Sequence, residues 1–195
     1  MGKHIKKTLI GLIMNMALLV LCGPPLFAMD ENEILQERLH IKEMAQGALS
    51  TLYEIAPGAR TAIEHAAGYG VFSTFGIKIF FAGGTTGKGF VYNNRTKRYT
   101  YMKMLQVQGG LGLGISKDRI IWVFETQKAL SDFVNLGWDF GGKARATAMV
   151  QNQGGMFSGA ISVAPGMYLY QLTNSGLAAE LTVTGTKYLK DNDLN

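Results

Sequence analysis

Four glycines and a lysine fall within the ten residues FAGGTTGKGF, Phe81 to Phe90, a composition that invites comparison with a phosphate-binding loop. Such a loop spaces G-x-x-x-x-G-K-[ST]: backbone N–H groups surround phosphate, the lysine reaches its far oxygens and the hydroxyl holds Mg²⁺. Here only three residues separate Gly83 from Gly87, Gly89 follows Lys88 where a hydroxyl is required, and strand-like sequence flanks both sides. The segment therefore reads as a strand, a tight glycine turn and a second strand, with Gly83, Gly84, Gly87 and Gly89 as backbone devices.

Other chemistry fails on spacing. GGLGLG, Gly109 to Gly114, does not satisfy G-x-G-x-x-G from any starting glycine. In a strand its alternation puts Gly110, Gly112 and Gly114 on one face and Leu111, Leu113 and Ile115 on the other, which suits close approach or hard curling of a sheet. Beyond the first 28 residues the histidines are His40 and His65, each on a helical stretch and without a ligand pair. GISKD and FSGAI each miss a glycine of the nucleophile elbow. Asp118, Glu125, Asp132 and Asp139 recur every seventh residue, but across a turn, a strand and a helix, so they do not align. The expectation is no catalytic residue, no metal and no cofactor.

One charge pattern remains. No acidic residue occurs between Glu64 and Asp118, whereas Lys78, Lys88, Arg95, Lys97, Arg98, Lys103 and Lys117 are basic, with Tyr92, Tyr99 and Tyr101 among them. Solvated hairpin loops would explain this run. So would a positive face for an anionic surface, with Lys88, Arg95, Lys97, Arg98 and Lys103 as candidate lipid contacts.

These residues must be placed by the elements around them. MGKHIKK followed by the fifteen-residue apolar run TLIGLIMNMALLVLC, short for a membrane span, and by PPLFA reads as a secretory signal peptide over residues 1–28. Cys22 would be a lipidation site only if LVLC served as a lipoprotein signal, and Leu21 stands where a small residue is expected. Removing Lys3, Lys6 and Lys7 leaves 16 basic against 14 acidic residues and no cysteine, so the fold rests on its own core. Export, to the periplasm or the cell envelope, argues against nucleic acid as a partner.

Residues 29–195 read as one domain, with an N-terminal helix over 29–58 and a core over 59–190. Apolar residues at helical spacing predict a helix over 30–56, stopped by Pro57-Gly58, and a second over 59–67. Strand-like runs follow at 70–75, 77–82, 88–93, 98–104, 106–115, 119–125, 143–150, 157–163, 166–173 and 177–186, with a turn at Asn93-Asn94. A helix capped by Gly137 interrupts them at 125–137. The expected fold is α+β: a strongly curved antiparallel sheet or barrel-like β core, an N-terminal helix pair and one inserted helix.

In that order the stretches AAGYGVFSTFGIKIFFAGGTTGKGFVYN (66–93), LQVQGGLGLGISKDRIIWVFETQKALSDF (105–133) and YLYQLTNSGLAAELTVTGTKY (168–188) resemble the SYLF family, also called the Ysc84 or Las17-binding family. The family's proline near Thr74 or Phe75 is missing here. The resemblance implies a non-enzymatic lipid-binding module, exported and envelope-associated in bacteria, and supplies no catalytic residues. Eukaryotic relatives also bind actin, a property that is not carried over to a chain with a bacterial-type signal peptide. Combined with the charge pattern, it leads to the expectation of a protein that contacts anionic phospholipid through basic, glycine-rich hairpins. The alternatives are a structural envelope protein that binds a protein partner or its own copy, and a sheet closed around an acyl chain.

Overall fold

A computed structural model describes residues 29–139, 155–178 and 186–195, with the side chains of residues 78–82, 108–113 and 138–139 left out. The signal-peptide segment, Cys22, and the strand expected at 143–150 lie outside the described residues. The chain order is α1 (Glu31–Ile55), α2 (Gly58–His65), β1 (Gly68–Asn93), β2 (Arg98–Ser116), β3 (Arg119–Phe124), α3 (Gln127–Leu136) and β4 (Trp138–Asp139). After a 3₁₀ turn at Gly155–Phe157 come β5 (Ile161–Ala164), β6 (Met167–Thr173), β7 (Gly176–Leu177) and β8 (Thr186–Lys190). All strand pairs are antiparallel, in the order β4-β8-β2-β1-β3-β6-β5 with β7 beside β6. The sheet curls into a half-barrel, so the α+β expectation holds.

Two expectations about the strands need correction. FAGGTTGKGF contains no turn: residues 81–90 lie inside β1, a single strand of 26 residues, and the runs at 98–104 and 106–115 are likewise one strand, β2. The register explains why. Gly68 to Ser73 lie opposite Phe124 to Arg119, the Thr74 amide donates to the Asp118 carbonyl, and Gly76 to Phe80 lie opposite Ser116 to Gly112. After a shift between Phe80 and Ala82, pairing resumes from Ala82 opposite Gly109 to Asn93 opposite Arg98. β1 is thus one arm of a continuous ribbon, and laid straight it would measure about 85 Å. A domain of this size cannot hold that length extended, so the ribbon doubles back.

Glycine makes the doubling sterically feasible. A Cβ at Gly89 would stand 2.0 Å from the Val71 carbonyl oxygen, and one at Gly68 would stand 2.2 Å from that of Tyr92. Backbone atoms cannot step aside as a flexible side chain can, so only a residue without Cβ fits where the two halves of β1 meet.

The concave side is filled. Phe72, Met102, Met104, Trp122, Phe124, Leu169 and Tyr188 converge on α3, which contributes Ala129, Leu130, Phe133 and Val134. Phe133 lies 4.9 Å from Phe124, 5.0 Å from Tyr188 and 5.2 Å from Trp122, centroid to centroid. The Thr126 hydroxyl caps α3 by accepting from the Ala129 amide, and Gly137 ends it at φ 69°, as its sequence position predicts.

On the convex side α1 buries Ile41, Ala45, Ala48 and Leu52, while Leu35, Leu39 and Ile55 stay exposed, so its apolar stripe is narrower than the sequence suggests. No helix among the described residues is long and apolar enough to cross a membrane, which says nothing about strands.

Candidate lipid-contact surface

Each basic candidate is placed by β1, β2 or the turn between them. Thr86, Lys88, Phe90 and Tyr92 alternate along the outer face of β1 and lie opposite Leu105, Lys103, Tyr101 and Tyr99 of β2. α1 crosses this face: the Arg38 guanidinium lies 5.6 Å from the Tyr101 ring centre and the Lys42 ammonium 4.7 Å from that of Tyr99.

Lys88 donates to Glu37 of α1 at 2.7 Å. Lys103 is held between Asp191 and Asp193, each at 3.0 Å. Hydrogen bonds from Lys103 to Asp191 and then Asp193 outweigh its desolvation and raise its pKa above the ordinary lysine value. Asp191 is 1% exposed and belongs to a C-terminal clasp. Its amide donates to the Tyr101 carbonyl, Asn195 exchanges hydrogen bonds with both backbone groups of Tyr101, and Arg38 Nε donates to the Leu194 carbonyl. The acid-free run is therefore a property of the sequence alone, because α1 and the C-terminal residues return carboxylates to two of the five candidates.

Arg95, Lys97 and Arg98 differ. Arg95 and Lys97 lie on the exposed β1–β2 turn and Arg98, also exposed, opens β2; none of the ion pairs among the described residues involves them. Asn93, expected at the turn, shapes it: its Oδ1 accepts from the Arg95 and Thr96 amides. Asn94 ties the turn to α2 by donating to the Ile63 and Ala66 carbonyls. Lys97 adopts φ 57°, a left-handed conformation that costs a side-chain-bearing residue about 1–2 kcal/mol.

Behind this turn lies a groove of about 570 Å³ that the sequence did not reveal, since its other wall is α3. Arg95 and Arg98 face Gln127, Lys128 and Asn135 across a floor of Val91, Leu130 and Val134. Lys128 pairs with Asp132 one turn on, and Lys190 donates to Asn135 Oδ1 at 2.9 Å. The groove thus offers guanidinium and amide donors above an apolar floor, a combination that suits an anionic group attached to an apolar body. A smaller cleft of about 290 Å³ separates α1 from β1, lined by Glu37, His40, Met44, Phe75, Thr86 and Lys88 among others. His65 is not among its lining residues and bonds the Thr61 carbonyl through Nδ1.

The structural glycines divide as well. Gly87 joins Gly89 at the meeting of the two β1 halves, where its Cβ would stand 2.8 Å from the Ser73 carbonyl oxygen. Gly114 has open space around it, and a Cβ at Gly84 would make only an ordinary contact with the Gln106 carbonyl oxygen at 3.9 Å. Gly83 pairs with Gln108 and Gly112 with Phe80, and Gly110 adjoins the register shift. The two glycine stretches belong to neighbouring strands, and Gly87 and Gly89 lie opposite Met104 and Met102 rather than opposite glycines. Gly68, confined by the Tyr92 carbonyl, and Gly76, confined by the Thr85 and Ser116 side chains, are further close approaches.

No family model matches the chain. It is similar to Beta cell expansion factor A of Aeromonas veronii, 30% identical over 161 residues. The match covers 82% of this chain and 59% of that protein, so the chain spans about three fifths of its relative's length.

Proposed function

We propose that this protein is a non-enzymatic, exported lipid-binding member of the SYLF family that contacts anionic phospholipid through the β1–β2 hairpin. The observation that carries the reading is the exposed triad Arg95, Lys97 and Arg98, which no carboxylate neutralises among the described ion pairs and which includes a lysine held at φ 57°. Glycine or asparagine would sit more comfortably at that position, so the lysine there carries a local conformational cost. The relative's name denotes an effect on beta cells and no ligand, so the reading rests on this chain's own residues. Lys88 and Lys103 take a lesser part, because their charges are already engaged by Glu37, Asp191 and Asp193.

Vesicle flotation tests this. Each basic residue near an anionic surface contributes about 1 kcal/mol, so replacing Arg95, Lys97 and Arg98 together by alanine should weaken binding on the order of 100-fold. Equal recovery with neutral and anionic vesicles, or full recovery of the triple variant, would refute the electrostatic contact. A second reading, an envelope protein that binds a partner or its own copy, draws on the exposed apolar end of the outer sheet face. A stable oligomer in light scattering, with no affinity for vesicles, would favour it.

A further inference from the structure

Five of the seven exposed large apolar side chains on the described strands gather where the ribbon doubles back. Val107 is 71% exposed, Ile115 69%, Leu105 52%, Ile77 45% and Phe75 41%. Leu105 and Val107 continue the outer face of β2. In the first half of β1 the odd residues share that side, since Tyr69 packs on Phe90 and Tyr92 and Phe75 lines one cleft with Thr86 and Lys88; Ile77 follows two residues on and lies opposite Ile115. The bend brings the two stretches together, since Gly76 abuts Thr85, whose neighbour Thr86 pairs with Leu105. Single exposed apolar residues are ordinary on a protein surface, whereas five on one face of one bend are not. α1 covers the same face farther along, with Ile41 and Met44 at the edge of the cleft that includes Phe75.

Charge indicates what covers the bend. The residues of the bend, 75–86 and 105–117, include no carboxylate. The acids at its margin are already engaged, Glu37 by Lys88 and Asp118 by Gln171, while the Lys117 ammonium stands 6.0 Å from the Phe75 ring centre. A second copy docked here by two-fold symmetry would bring Lys117 toward its own equivalent, with the nearby Glu37 and Asp118 already bonded to Lys88 and Gln171. The boundary of an anionic bilayer accommodates both features: apolar side chains enter the acyl region while the lysine extends to the phosphates. We infer that this bend is a membrane-inserting contact, at the opposite end of the β1–β2 ribbon from the basic hairpin and roughly 30 Å from it along nine strand residues. The inference rests on the lipid-binding reading and assigns it a second, apolar element.

The experiment uses the full chain carrying Cys22→Ser, with Val107→Cys or, separately, Lys97→Cys labelled by a polarity-sensitive fluorophore. Vesicles of phosphatidylglycerol and phosphatidylcholine, with and without acyl-chain spin labels, are compared with phosphatidylcholine alone. A blue shift and acyl-chain quenching at position 107 with the anionic vesicles is expected, with position 97 remaining unquenched. In parallel, Val107→Asp with Ile115→Asp should lower vesicle binding at least tenfold while leaving the melting temperature within a few degrees, as both sites are exposed. A bound protein whose 107 label stays in water refutes the insertion and leaves the hairpin contact standing. A 107 label that shifts with protein concentration in the absence of vesicles assigns the bend to a second copy and overturns the inference. Failure of the unsubstituted protein to float with anionic vesicles removes the lipid reading itself.

Discussion

Replacing Gly89 by alanine should strongly destabilise the fold, although the change adds a single methyl group. Gly89 sits at the meeting of the two halves of β1, and the added Cβ would lie 2.0 Å from the Val71 carbonyl oxygen, 2.6 Å from Phe72 Cδ1 and 2.8 Å from Phe72 Cα. Two of those three atoms are backbone, in a segment pinned by β3 on its far side. Inserting a methyl group into packed structure costs about 1–3 kcal/mol, and an obstacle that cannot rotate away places this substitution at the upper end. At about 3 kcal/mol the melting temperature should fall by roughly 6–12 °C for a domain of this size. Gly114→Ala is the matched control: nothing lies within 4 Å of its Cβ position. Both substitutions reduce the freedom of the unfolded chain alike, so their difference isolates the clash. Differential scanning calorimetry of the two variants beside the parent measures it. If Gly89→Ala melts within about 2 °C of Gly114→Ala, the close approach of the β1 halves is wrong, and with it the account of why the ribbon can double back.

Lys103→Ala should destabilise by about 1–3 kcal/mol, less than a fully buried pair would, because Asp191 loses its ammonium partner inside the clasp while Lys103 itself is half exposed. Urea denaturation measures this, and an unchanged midpoint would show that the clasp does not depend on the pair. Stability should also fall in alkali. Burial pushes Tyr69 and Tyr170 up to about 12 and Tyr188 higher still, so the folded state keeps phenolic protons that the unfolded chain releases near 10. The stabilisation is complete below pH 10 and is lost as pH rises from 10 toward 12, and the raised pKa of Lys103 acts in the same direction. Thermal melts with absorbance at 295 nm should show these phenols ionising only as the protein unfolds. Reversible titration of all eight tyrosines near pH 10 with the fold intact would contradict the burial.

The sequence by itself determined local matters. Helical spacing located α1, α2 and α3, Gly137 marked the end of α3, and alternating β-branched and aromatic residues marked most strands, because each of these signals is written within a few residues. It also singled out Gly87 and Gly89 as backbone devices, but it read FAGGTTGKGF as a turn. A glycine run fits a hairpin and a bend in a paired ribbon equally well, and only the partner strand distinguishes them. The same limit applied to charge. Lys88, Arg95, Lys97, Arg98 and Lys103 looked equivalent along the chain, yet Glu37, Asp191 and Asp193 arrive from residues 51 and about 90 positions away to neutralise two of them. The wall of the basic groove and the exposed apolar bend are likewise products of folding. Electrostatic pairing and exposure depend on distance in space, which the tertiary structure decides, whereas the sequence orders residues only along the chain.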